Sequence, residues 1–144
     1  MKVYFYLAPI FLLLNCSSTN YELKKVQFHA GMCFGTCPDF TITIKEDRSA
    51  VYEANMYNTK KGIFKATIRK EQFDSLRMLI QNSDFFHLKN EYTVQVTDLP
   101  SFTLTIQQSG GQTKTIEDYG ASGPVKLTKI YNFISSLRDS QDWK

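Results

Sequence analysis

From Phe40 onward every second residue is apolar: Phe40, Ile42 and Ile44 alternate with Thr41, Thr43 and Lys45. Successive side chains of an extended strand point to opposite faces. This pattern therefore commits one face to a core and leaves the other to water. A helix does not satisfy it. The same period governs residues 21–29, where Leu23 is followed by alternating Val26 and Phe28, and returns at Phe64, Ala66 and Ile68. Glu46-Asp47-Arg48-Ser49 is a polar turn, and residues 50–54 read as the returning strand.

At Phe73 the period changes. Phe73, Leu76, Leu79 and Ile80 follow three-and-four spacing, which predicts an amphipathic helix over 70–82. Glu71 falls in its first turn but no good capping residue precedes it, and Phe85, Phe86 and Leu88 are expected to pack under its end. The second half repeats the order. Phe102, Leu104 and Ile106 alternate with threonines, Gly110-Gly111 turns a hairpin, and 113–118 returns. Ser122-Gly123-Pro124 then opens a helix with proline at the first position, its buried stripe being Leu127, Ile130, Tyr131, Ile134 and Leu137. The expectation is an α+β fold in ββ(β)α–ββα order. Its mainly antiparallel sheet of about five to six strands is covered on one face by two helices.

The start of the chain has a different character. Met1-Lys2 is positive and residues 3–14 are apolar, interrupted only by Pro9. Twelve helical residues span roughly 18 Å, short of a ~30 Å hydrocarbon core and matched to a signal-peptide apolar region. Leu13-Leu14-Asn15-Cys16 followed by Ser17-Ser18-Thr19-Asn20 looks like a bacterial lipoprotein signal, although Asn15 stands where that pattern prefers Gly, Ala or Ser. On this reading 1–15 is the signal peptide, Cys16 is lipidated, 16–22 is the lipidated cysteine with a short polar linker, and 23–144 is a single domain. Cleavage near Ser17-Ser18 and an uncleaved apolar anchor are the alternatives.

With Cys16 assigned to the lipid, Cys33 and Cys37 remain as a pair. Export places them in an oxidising compartment, where disulfides persist. A staple of one tight loop is the leading reading, worth about 2 kcal/mol by chain entropy. Gly35 supplies backbone freedom between the two sulfurs, and Pro38 restricts the exit.

The stretch Cys33-Phe34-Gly35-Thr36-Cys37-Pro38-Asp39-Phe40, with Val51-Tyr52, Phe73 and Leu76, Phe85-Phe86 and Val96-Thr97-Asp98, resembles a family of small bacterial lipoproteins. That family is known only as a domain of unknown function, marked by a Cys-x-Gly-x-Cys-Pro motif near its start. The likeness covers residues 23–137. It implies a periplasm-facing lipoprotein and implies no activity. The chain departs from the family at Arg48-Ser49, where such proteins more often carry a glycine.

Other chemistry competes weakly. Cys-x-x-x-Cys-Pro also resembles the copper site of thioredoxin-like copper-insertion proteins, which need a distant histidine, and His29 or His87 would have to serve. In those proteins the motif lies in a strand-to-helix turn, whereas here Pro38 leads into a strand. His29 shares the solvent face with Gln27, and His87, between Phe86 and Leu88, is expected to pack. Asp98 and Asp118 both precede turns, where an aspartate typically bonds nearby backbone. Tyr52, Tyr57, Tyr92, Tyr119 and Tyr131 offer apolar area with a polar tip, and core positions account for most of them. A net charge of +3 with scattered lysines gives no reason to expect nucleic acid.

No catalytic residue, metal ligand or cofactor is assigned. The expected protein is a lipid-anchored module of the bacterial cell envelope, facing the periplasm from the outer membrane or displayed at the surface. Membrane contact is through Cys16, and the partner is an envelope protein or small ligand. The alternative is a periplasmic copper-handling or thiol-redox protein using Cys33 and Cys37.

Overall fold

Strand pairing carries the sequence periodicity straight into three dimensions. The computed structural model describes residues 22–144; the signal segment 1–15, Cys16 and the linker up to residue 21 lie outside the described residues. Seven strands form one sheet. They are β1 (Leu23–Ala30), β2 (Phe40–Lys45), β3 (Ser49–Ala54), β4 (Gly62–Thr67), β5 (Glu91–Tyr92), β6 (Ser101–Gln108) and β7 (Thr113–Tyr119), in the order β4-β3-β2-β1-β6-β7-β5. All pairs are antiparallel except β5 with β7. The seventh strand, beyond the five to six expected, is β5. With two residues it is too short to show a period.

The register lines up the core face in rows. Phe64, Tyr52, Ile42, Phe28, Leu104 and Ile116 follow one another across six strands, and all but Phe64 are fully buried. The opposite face carries Glu53, Thr41, His29, Thr103 and Glu117 in the matching row. In β1 the alternation slips between Leu23 and Val26 because a bulge interrupts the pairing with β6 between Leu23 and Lys25. Leu23 and Val26 are thereby both buried.

Two helices cover the core face, α1 (Lys70–Ser83) and α2 (Val125–Ser140). α1 lacks an N-terminal hydroxyl or carboxylate; instead the Gln72 side chain accepts hydrogen bonds from the Arg69 N–H at 3.3 Å and from Arg69 Nε at 3.2 Å. It leaves from beside β4 and ends beside β7, where Lys114 Nζ donates to the carbonyls of Phe86 and Leu88. α2 runs back from β7 toward β4. Pro124 is its cap, one residue outside the helix, its carbonyl accepting the Leu127 N–H at 2.8 Å. Leu127, Ile130, Tyr131, Ile134 and Leu137 are buried, as their spacing requires.

Trp143, only 7% exposed, ends this return. Its ring centroid is 5.3 Å from that of Tyr52, and its indole N–H donates to the carbonyls of Leu137 and Arg138. Lys144 exchanges both backbone hydrogen bonds with Lys65, at 2.7 and 3.0 Å, covering part of the otherwise unpaired β4 edge. The β2–β3 turn places Arg48 at φ 67°, the left-handed conformation that favours glycine. The arginine holds it while donating to the Ile68 carbonyl at 3.3 Å.

Phe28 is where strand pairing and helix packing meet: its ring lies 6.0 Å from Phe40, 6.0 Å from Phe102 and 5.4 Å from Tyr131. Phe28→Ala is expected to cost about 3–5 kcal/mol, read as a lowered midpoint in urea or thermal unfolding.

Candidate functional site

The two ends of the sheet differ in chemistry. Four connections share one end: 31–39, 55–61, 93–100 and 120–124. The other end has the turns 46–48 and 109–112, and there the chain enters, the Glu22 carbonyl accepting the Ser109 N–H at 2.9 Å. Of the nine exposed large apolar side chains among the described residues, eight belong to the first end. Met32, Phe34, Met56, Tyr57, Val94 and Val96 lie on its connections, while Ile63 and Val125 are at the starts of β4 and α2. The ninth, Met78, is on α1.

The loop after β1 is braced. Cys33 and Cys37 form a disulfide. Gly35 between them has φ 142°, a conformation open to glycine, and Phe34 beside it is 86% exposed. Asp39 then binds this loop to the one after β3. Its N–H donates to the Met56 carbonyl at 2.9 Å, and its carbonyl accepts the Asn55 N–H at 3.0 Å and Asn58 Nδ2 at 2.6 Å. Its carboxylate accepts Asn55 Nδ2 at 2.9 Å. Two adjacent loops are thus locked into one platform that carries Met32, Phe34, Met56 and Tyr57.

Asp118 is the one buried carboxylate among the described residues, 1% exposed at the end of β7. It accepts the N–H groups of Ser122 at 2.8 Å and Gly123 at 3.2 Å, the Ser122 hydroxyl at 3.3 Å, and the Tyr131 hydroxyl at 3.2 Å. The expected turn aspartate is therefore also the link between β7 and α2, which the linear sequence did not reveal. Burial first, and the neighbouring Asp118 charge second, push the Tyr131 phenol far above the ordinary tyrosine range. Gly123 is close-packed: a Cβ there would stand 2.8 Å from the Asp118 carboxylate and 3.0 Å from Leu127.

The remaining candidates are dispersed. His29 lies half-buried on the open sheet face with Nδ1 3.2 Å from Thr41 Oγ1. His87 is not packed as expected; its side chain is 82% exposed and its ring nitrogen is 2.7 Å from Asp84. It follows a helix end that turns outward at Asp84, φ 55°, so Phe85 takes the buried position instead. Asp98 is exposed and accepts the Thr97 hydroxyl at 3.2 Å, with no hydrogen bond to Asp118 among the described residues. Among the described residues no three His, Cys, Asp or Glu side chains are grouped to hold a metal ion. Of the tyrosines, Tyr52 and Tyr131 are core residues, and the hydroxyls of Tyr92 and Tyr119 accept the Lys89 and Leu99 N–H groups. Among the described tyrosines only Tyr57 is exposed. A groove of about 230 Å³ at the end of α2 includes Tyr52, Lys60, Arg138 and Trp143. Its cations are engaged, Arg138 over the Phe40 ring and Lys60 over Phe64.

A sheet covered on one face by two antiparallel helices, with a disulfide-braced loop at one end, defines a small α+β domain. The chain belongs to the family described as a domain of unknown function (DUF6438), whose model matches residues 24–138. No curated protein matches the chain.

Asp118→Ala leaves two N–H groups and a phenol without their acceptor and is expected to cost about 1–3 kcal/mol in denaturant unfolding. Since the folded state holds the Tyr131 proton more tightly than the unfolded chain does, the associated stability is complete below pH ~10 and declines as pH rises beyond it. Unfolding midpoints measured from pH 8 to pH 11 should therefore drop, and Tyr131→Phe should flatten the drop. Replacing both Cys33 and Cys37 by Ser should remove about 2 kcal/mol, with the core unchanged by near-ultraviolet circular dichroism.

Proposed function

We propose that this chain is a lipid-anchored protein of the bacterial cell envelope, held through acylated Cys16. Its domain serves as a non-catalytic binding or accessory module for an envelope protein or small ligand. The observation that carries this reading is the braced loop end, where rigid backbone presents apolar side chains to solvent. Soluble monomers rarely leave such side chains gathered without a use. Anchorage is supported by the apolar run ending at Cys16 and by the entry of the chain at the end of the sheet remote from the tip. Two or more acyl chains give stable attachment, each buried methylene contributing about 0.8 kcal/mol. Location on the periplasm-facing or surface side follows from export, and the modest charge of +3 argues against a nucleic-acid partner.

The test is metabolic labelling of the full-length chain with an alkyne-bearing palmitate analogue, together with fractionation. Wild type is expected in the membrane pellet and labelled, and Cys16→Ser unlabelled and released from it. Label that persists in Cys16→Ser, or wild type found in the cytosol with free Cys33 and Cys37 thiols, would overturn the reading.

A further inference from the structure

The disulfide braces a loop that nothing else holds along its length. We propose that the Cys33–Cys37 bond is a reversible redox element: a dithiol in the envelope reduces it, and residues 32–38 pass from one fixed course to a mobile one while the domain stays folded. The oxidised resting state rests on the export proposed above; acylation of Cys16 plays no part in the exchange. The loop is clamped at both ends. At its start the Gly31 N–H donates to the Ser101 carbonyl at 2.7 Å, so close that a Cβ on Gly31 would stand 3.3 Å from that oxygen. At its end Asp39 is bonded to Asn55, Met56 and Asn58. Between these clamps residues 32–38 make no hydrogen bond or ion pair among the described residues, and none of them joins the buried core cluster. The disulfide is the tie that spans them.

The bridge is open to a reductant. Both cysteines are half-buried rather than enclosed. A Cβ added to Gly35 would meet one heavy atom within 4 Å beyond its chain neighbours, Cys33 Sγ at 4.0 Å. Exposed disulfides are the labile ones, whereas structural bonds resist the glutathione pool. A bond closing so short a ring also adds less to stability than one closing a long loop, so its loss leaves the core standing. In the exchange one thiolate of the dithiol attacks a sulfur of the bridge. The S–S bond breaks, and the other sulfur leaves as a thiolate that takes up a proton. The second thiol of the reductant then attacks the mixed disulfide and releases the first cysteine. Two electrons and two protons have passed to Cys33 and Cys37, and the dithiol has become a disulfide. Both new thiols stay in a loop whose flanking residues Ala30 and Phe40 are paired, so re-oxidation is a short intramolecular closure. Without the bond Met32 and Phe34 lose their fixed orientation, and the redox state thereby sets the order of this exposed loop.

The experiment equilibrates the purified Cys16→Ser chain, without denaturant, in mixtures of reduced and oxidised glutathione of graded ratio. Free thiols are then counted by mass after maleimide labelling. The expected result is that two thiols appear together, passing through half reduction within the series, with the near-ultraviolet circular dichroism of the core unchanged. Amide hydrogen exchange over 32–38 should quicken by about tenfold or more, with β1 and β2 unaffected, and oxidised glutathione should restore both signals. The double variant Cys33→Ser, Cys37→Ser should show the fast profile at every ratio. Thiols that appear only in denaturant would overturn the proposal in favour of a structural bond. Loss of the core on reduction, or exchange over 32–38 that does not change, would also overturn it. In a second arm N-ethylmaleimide is added to intact cells before fractionation. The wild-type chain in the membrane pellet is expected in two populations, one bridged and one alkylated at Cys33 and Cys37; a single population of either kind would overturn a switch in use. Failure of the anchorage reading registers separately, as wild type missing from that pellet, and leaves the glutathione titration to decide the redox proposal.

Discussion

Complete burial of one sheet face, centred on Phe28, is the constraint from which the remaining architecture follows. β1 is paired on both sides, with β2 and with β6, so its inward side chains have no route to solvent except through the helices. Phe28 therefore requires α2 above it, and Tyr131 supplies a ring stacked at 5.4 Å. Tyr131 in turn binds Asp118, which fixes where α2 departs from β7. At the other end of the helix Trp143 closes over Tyr52, and Lys144 pairs with the outer strand. The path of the second helix is thus determined by contacts at its start, middle and end, each with a partner on a different strand.

Much of this was readable in the chain because period-two and period-3.6 patterns report which face is buried. The alternations at Phe40–Ile44 and Phe102–Ile106 became β2 and β6, and the stripe from Leu127 to Leu137 became the buried side of α2. What failed to show were features that do not repeat. β5 pairs through only two residues, and residues 93–97 alternate apolar with polar yet form no strand. The Asp118–Tyr131 bond joins residues thirteen apart across a turn, where no local pattern couples them. Trp143 lies beyond the last periodic residue, and its burial comes with tertiary contact to Tyr52 and hydrogen bonds to the end of α2. His87 has apolar neighbours on both sides, but the left-handed turn at Asp84 decides its direction.

The candidate site was legible in one respect only. Cys33 and Cys37 could be paired from cysteine arithmetic. The loops that join them into a platform could not, because Asp39 reaches Asn55, Met56 and Asn58 across a strand hairpin. Nor does composition reveal that exposed apolar residues gather at one end; that needs strand direction. Alternating up and down strands send the connections after β1 and β3, and those before β6 and after β7, to the same side.

The position of the disulfide itself argues about purpose. A bridge that closes only a five-residue loop constrains less of the unfolded chain than one closing a long loop, and this one joins no two strands of the core. Among the described residues, twenty-three buried apolar side chains already form one cluster without it. Its main consequence is local: it fixes the backbone on either side of Phe34, whose side chain is 86% exposed. Leaving a large apolar group in water is unfavourable, and ordering its loop adds a further entropic cost. Neither serves folding. Both are the terms that association would recover, since burial of the ring removes the first and a loop fixed in advance has already met the second.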